Sequence, residues 1–213
     1  RLGETMDWDS PVDSGPIPKD GSKFDAIVVG GGPGGSSAAA FLAMKGAKVL
    51  LLEKAVYPRD KTCGDAVGGK SLKHVEQLGV KHILEETPHF RVDGIIFGAP
   101  NGKEVKIALP EEEVEQREAG YSLPRRQFDT LLFRNANEKV LENGGAVIQG
   151  FSVKQVHIEN NAVTGVSGTH EKNEFHFTAP LTIGAAGYTC PVAKAVTGHH
   201  DEPMIDKDHY CGA

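Results

Sequence analysis

The strongest constraint in this chain is the run Gly30-Gly31-Gly32-Pro33-Gly34-Gly35, set between an apolar stretch and a stretch of small residues. It satisfies the pattern G-x-G-x-x-G at Gly30, Gly32 and Gly35. Before it, Phe24-Asp25-Ala26-Ile27-Val28-Val29 reads as a parallel strand buried on both faces, because its apolar run is nearly continuous. After it, Gly34 to Lys45 reads as a small-residue helix (Ala38, Ala39, Ala40, then Phe41, Leu42 and Met44) stopped at Gly46. Lys48 to Glu53 reads as a second buried strand. Strand, helix and strand in such a short span make a βαβ unit.

In that setting the glycines have separate mechanical duties. Gly30 permits the tight turn, Gly32 lets backbone approach a pyrophosphate, and Gly35 lets the helix close on the strand. The helix N-terminus then turns unpaired N–H groups and its positive end toward the phosphates. Glu53, 18 positions after Gly35, stands where a carboxylate accepts hydrogen bonds from an adenosine ribose. A 2′-phosphate would be repelled there, so the pattern favours FAD or NAD over NADP.

Residues 1–22 are rich in Asp, Gly, Ser and Pro and show no period, so they read as a flexible tail, with Trp8 able to pin it. Residues 55–69 carry Pro58, Gly64, Gly68 and Gly69 and read as a long loop, and Ser71 to Leu78 as a short helix ended by Gly79. An antiparallel excursion is expected over 92–109, where Pro100-Asn101-Gly102 joins Gly94–Ala99 to Glu104–Leu109 as a hairpin. Glu111-Glu112-Glu113 reads as a solvated loop. From Arg126 a helical period returns: Phe128, Leu131, Leu132, Ala136 and Val140 share a face until Asn143-Gly144-Gly145. Ala146–Ile148, Ser152–Ile158, Val163–Ser167, Glu174–Thr178 and Leu181–Ile183 read as strands, several forming a β-meander over 152–184 with turns at Asn160-Asn161 and Lys172-Asn173.

Composition excludes several classes. Lys plus Arg is 23 against 29 for Asp plus Glu, a net charge of −6, so no basic surplus is present for nucleic acid. No apolar run approaches the ~20 residues of a membrane-spanning helix, and no secretory signal is visible. Three scattered cysteines, Cys63, Cys190 and Cys211, suggest a reducing compartment and hence a cytoplasmic protein. His199, His200, His209 and Cys211 match no standard ligand spacing, so no metal site is expected.

Three further segments narrow the dinucleotide. Tyr57-Pro58-Arg59-Asp60-Lys61-Thr62-Cys63-Gly64-Asp65 resembles the Pro-Arg-x-Lys-x-Cys-Gly-Asp/Glu loop of the geranylgeranyl reductase family. Leu123-Pro124-Arg125-Arg126-Gln127-Phe128-Asp129 is similar to that family's Arg-x-x-Phe-Asp segment, and Ile183-Gly184-Ala185-Ala186-Gly187 to its Gly-Ala-Asp-Gly stretch. The order and spacing agree over residues 24–197, and the loop wording is nearest to the archaeal type that acts on digeranylgeranylglycerophospholipids. The resemblance implies an FAD protein of the para-hydroxybenzoate hydroxylase fold that reduces C=C bonds of prenyl chains by hydride transfer from reduced flavin. The fold class expected is therefore α/β: a Rossmann-like FAD-binding domain over 23–198, with 199–213 opening a truncated substrate domain.

By the same resemblance Gly35 and Glu53 contact the adenosine diphosphate, Cys63, Gly64 and Ala66 lie along the flavin, Arg125 meets the ribityl or pyrophosphate part, and Val153 offers its backbone to the adenine. The partners implied are a prenyl lipid, an external electron donor (NAD(P)H or ferredoxin), and peripheral contact with a membrane. No residue is singled out as proton donor or catalytic group. Two departures stand out: Ala186 occupies the family's Asp position and Cys190 its Ser position. The family's second flavin motif, Gly-Asp-Ala-x-Gly, is not found, which implies completion by a C-terminal half or a partner subunit. Two alternatives remain beside reduction: a flavin monooxygenase or halogenase of the same fold, and a non-catalytic FAD-binding fragment or subunit.

Overall fold

The computed structural model describes residues 6–63, 65–115 and 120–197. The expected βαβ unit is present as β1 (Ala26–Val29), α1 (Pro33–Met44) and β2 (Val49–Leu52). β1 pairs in parallel with β2, Ala26 opposite Val49 and Val29 opposite Leu52. Two further parallel strands flank this pair: β8 (Ala146–Ile148) beside β2, and β12 (Leu181–Gly184) beside β1. The resulting order is β12-β1-β2-β8.

Every residue of β1, β2 and β8 is buried, and the alternation of the strands divides them between two cores. Val28, Val49, Leu51 and Val147 face α1 and α5 (Arg125–Glu142). Ile27, Val29, Leu50, Leu52 and Ile148 face the opposite way, toward Phe151, Val166 and Phe177. That second layer is an antiparallel meander of β9 (Ser152–Glu159), β10 (Ala162–His170) and β11 (Asn173–Thr178), in the order β11-β10-β9. The structure is thus three layers, helices, parallel sheet and meander, which accounts for the unbroken apolar strands. Ala39, Ala40 and Ala43 let α1 lie close against α5.

The segment between β2 and α5 is more structured than a loop. β3 (Ala66–Gly68) leads into α2 (Gly69–Gln77) and α3 (Lys81–Glu86), followed by β4 (Phe90–Arg91). The hairpin is found as β5 (Gly94–Gly98) and β6 (Glu104–Ala108), with Ile95 opposite Ile107 and Phe97 opposite Val105. The residues from Glu111, expected as loop, form the short helix α4 (Glu111–Glu115). β7 (Gly120–Ser122) then pairs antiparallel with both β3 and β4. These strands are two or three residues long, too short to show an alternation in sequence.

The chain ends its described course in α6 (Pro191–Thr197), whose Val192 packs into the second core. Gly198 and residues 199–213, the expected opening of a substrate domain, lie outside the described residues. The turn expected at Lys172-Asn173 sits one residue earlier, at Glu171 and Lys172, both with positive φ (46° and 70°). Asn is the better left-handed residue, which is why turn chemistry pointed one position on.

Residues 6–22 form no helix and no named strand, as their composition suggests, but they do not stand away from the body. Met6, Trp8 and Val12 pack against the first core, and the Gly21 N–H bonds to His176 O at 2.9 Å. The helix beneath explains it. α5 buries Thr130, Phe133, Asn135 and Asn137 beside its expected apolar face, so it needs cover on more than one side. Phe133 is fully buried and stacked on Tyr57 with ring centroids 4.1 Å apart. Phe133→Ala is expected to lower the unfolding free energy by about 3–5 kcal/mol, read from urea unfolding followed by circular dichroism.

Candidate cofactor site

The glycine run is the turn from β1 into α1. Gly30 has φ +107° and donates its N–H to Leu52 O at 2.7 Å. A Cβ at Gly30 would lie 2.5 Å from Ala185 O, and one at Gly35 only 1.7 Å from Gly30 O. Both positions are therefore closed to side chains by the protein itself. Gly32 differs: a Cβ there would meet only the Arg59 guanidinium, at 3.6 Å. Its open side faces a cleft, as backbone meant for a ligand would. Pro33 opens α1 without an N–H, and the N–H groups of Gly34 and Gly35 have no acceptor earlier in the helix. They point the positive end of α1 at the cleft.

Glu53 follows β2 and is 9% exposed. Its Oε2 accepts the Gly31 N–H at 2.5 Å and its Oε1 accepts the Ala55 N–H at 2.7 Å. The carboxylate thus fixes the turn from below, a role that the sequence pattern does not announce. Two oxygens offer about four acceptor sites, which leaves capacity for ribose hydroxyls. Tyr57 holds the other side of the turn: its hydroxyl donates to Gly31 O at 2.7 Å. Burial pushes that hydroxyl's pKa well above the usual phenol range, so it remains a donor.

The opposite wall is built on Asp129, which is wholly buried. Arg125 grips it through Nε at 2.6 Å and Nη2 at 2.9 Å, and Arg59 through Nη1 at 2.8 Å. The hydrogen bond to Asp129 is the main cause raising the Arg125 pKa above its already high value. One carboxylate cannot neutralise two guanidiniums, so the pair keeps a net positive charge. The cleft between these walls has a volume of about 490 Å³. Lys54, Arg59, Lys61 and Arg125 line it against Glu53 and Asp60, an excess of positive charge suited to a diphosphate.

Five of the expected site residues meet at this cleft: Gly30, Gly32, Glu53, Arg125 and Val153. Gly35 lies behind it, at the contact between α1 and β1. Cys63 is exposed and its side chain hydrogen-bonds to Arg125. Ala66 lies in β3 opposite Ser122, away from the cleft lining. Gly64 lies outside the described residues, as do His199, His200, His209 and Cys211. Ala186, at the family's Asp position, lines the cleft, whereas Cys190 is buried in the second core. Arg59 and Asp129 lie within the family-like segments, but the sequence alone assigns them no role. The spacing of Arg125 and Asp129, four apart on a helix, was the available signal.

A family described as FAD binding domain matches residues 23–206. Among curated relatives, digeranylgeranylglycerophospholipid reductase 2 of Methanococcoides burtonii is 34% identical over 172 residues, covering 80% of this chain and 39% of that protein. Menaquinone reductase of Mycobacterium tuberculosis is 33% identical over 138 residues, covering 64% of this chain and 31% of the relative. The chain thus spans about two-fifths of the length of the reductases it matches first. Of solved structures, the myxobacterial chondrochloren halogenase matches with a TM-score of 0.68 at 29% identity, covering 79% of this chain and 38% of that one. A geranylgeranyl bacteriochlorophyll reductase-like protein from Thermoplasma acidophilum gives 0.58 at 26%, covering 78% and 40%.

Two substitutions separate the roles of the glycines. Gly35→Ala is expected to abolish the cooperative thermal transition of the ligand-free chain, because Gly30 O blocks the new methyl. Gly32→Ala is expected to leave that transition in place while weakening FAD binding by at least about tenfold, measured by flavin fluorescence titration. Asp129→Asn is expected to cost about 3–5 kcal/mol of stability, read from urea unfolding, since two arginines lose their buried counter-charge.

Proposed function

This chain belongs to the FAD-binding domain family, and from that premise we propose that it is the flavin-holding part of a reductase acting on C=C bonds of prenyl lipid chains. The observation that carries the reading is its similarity to the archaeal reductases over four-fifths of the chain. We assign the FAD-binding domain to residues 23–198. Bound FAD supplies two-electron chemistry through its ring, and the residues here hold and orient it. Gly32 and the start of α1 receive the diphosphate, with Arg59 and Arg125 opposite. Glu53 accepts from the ribose, Val153 lies at the adenine end, and Cys63, Gly64 and Ala66 follow the flavin side.

The same reading proposes a prenyl lipid as substrate and an external electron donor, NAD(P)H or ferredoxin. Among the described residues no helix is long and apolar enough to cross a membrane. A cytoplasmic enzyme touching the membrane peripherally, and completed by further polypeptide, fits such a substrate. A second reading, halogenation or oxygen-dependent hydroxylation, is favoured by one observation, the higher TM-score of the halogenase.

The test is incubation of the FAD-loaded, dithionite-reduced chain with a geranylgeranyl lipid under argon, followed by mass spectrometry. The expected product gains two hydrogens for each saturated bond. An oxygenated product formed only in air, or a halogenated one formed only in air with halide, would replace this reading by the second. Retained flavin with neither product would mark a binding module without catalysis of its own.

A further inference from the structure

Residues 6–22 precede the family match at 23–206, and the cofactor reading gives them no part. None of them lines the cleft. Yet they are fastened to the body at successive points. Arg134 Nη2 donates to Asp7 O and Ser10 O, both at 2.8 Å. Asn137 Nδ2 donates to Asp13 O at 2.8 Å, and Arg126 pairs with Asp9. Gln149 Nε2 donates to Val12 O at 2.8 Å and to Ser14 Oγ at 2.7 Å. Four side chains of the body, Arg126, Arg134, Asn137 and Gln149, thus hold one segment that has no regular structure.

Gln149 is the informative one, because its amide faces two ways. While its nitrogen holds the segment, its Oε1 accepts the Tyr57 N–H at 2.7 Å. Tyr57 is fully buried, and its ring is clamped against Phe133, so movement of its backbone carries to its hydroxyl. That hydroxyl donates to Gly31 O, while the N–H of Gly31 is held by Glu53. The path from Val12 and Ser14 to the glycine turn is therefore contiguous: one amide, one rigid ring and the carbonyl of Gly31. The carbonyl of Gly31 is the group on this path, shared with Ser36 Oγ, which donates to it at 2.7 Å, while the Gly31 N–H is held separately by Glu53.

We propose that residues 6–15 are a strap that sets the glycine turn through Gln149 and Tyr57, making these positioning residues for the cofactor site. The strap raises FAD affinity without touching FAD, by holding Gly31 where the open edge of Gly32 and the start of α1 meet the diphosphate. Its loss leaves the cleft lined by the same residues but lets the turn move. This rests on the cofactor reading above for its binding consequence, whereas the link from strap to turn does not.

The experiment compares the full chain with Gln149→Leu, with a deletion of residues 1–15, and with the two combined. FAD affinity is read by flavin fluorescence, and amide hydrogen exchange is followed in the ligand-free proteins. Each single change is expected to raise the FAD Kd about five- to tenfold. The combined protein is expected to be no weaker than the worse single, because both break one path. Exchange at the Gly31 and Tyr57 amides is expected to quicken, while Val166 in β10 stays protected. Unchanged exchange at Gly31 in Gln149→Leu, or additive losses of affinity, would overturn the proposal. Should the deletion fail to fold, Gln149→Leu alone decides. If the full chain binds no FAD, the cofactor reading falls, and exchange at Gly31 still decides the strap.

Discussion

The approach of Gly35 to Gly30 O is the contact on which the remaining geometry turns. A methyl at Gly35 would lie 1.7 Å from that oxygen, so α1 can reach β1 only with hydrogen there. With the helix at that distance, its first N–H groups open toward the end of the parallel sheet, where ligands of such folds bind. The small face of α1 then admits α5, which brings Arg125 and Asp129 to the opposite wall. A larger residue at position 35 would disturb turn, helix and arginine wall together.

Charge is organised around two carboxylates with opposite duties. Glu53 accepts two backbone N–H groups and fixes the turn. Asp129 has no exposure and collects two arginines, spending its charge on their position. Because the arginines outnumber it, the wall keeps positive charge facing the cleft. A diphosphate would satisfy that surplus and the helix end at once. This division explains why the site is cationic in a protein whose net charge is −6.

Much of this was legible in the sequence. β1, α1 and β2 follow from a continuous apolar run, a glycine turn and a small-residue helix, and the hairpin and meander from turn residues and alternation. The pattern marks Glu53 as a candidate ribose acceptor but not its grip on Gly31, since a hydrogen bond to backbone leaves no mark on residue type. Tyr57 and Gln149 act over 26 and 92 positions, beyond any local pattern. β4 and β7 are too short for a period of two to register. The segment before residue 23 looked like a tail because its composition is polar. Most of its anchors are backbone carbonyls, which every residue carries, and the partners reaching for them, on α5 and at Gln149, sit more than a hundred positions away.

On the reading proposed above, the chain grips FAD by its adenosine diphosphate end, through the glycine turn, Glu53 and the arginine wall. The most direct measurement is equilibrium titration of the purified chain with FAD, followed by competition with ADP and separately with FMN. Saturable binding at one FAD per chain, displaced by ADP and indifferent to FMN, is the expected result. Displacement by FMN but not by ADP, or no saturable binding, would contradict it.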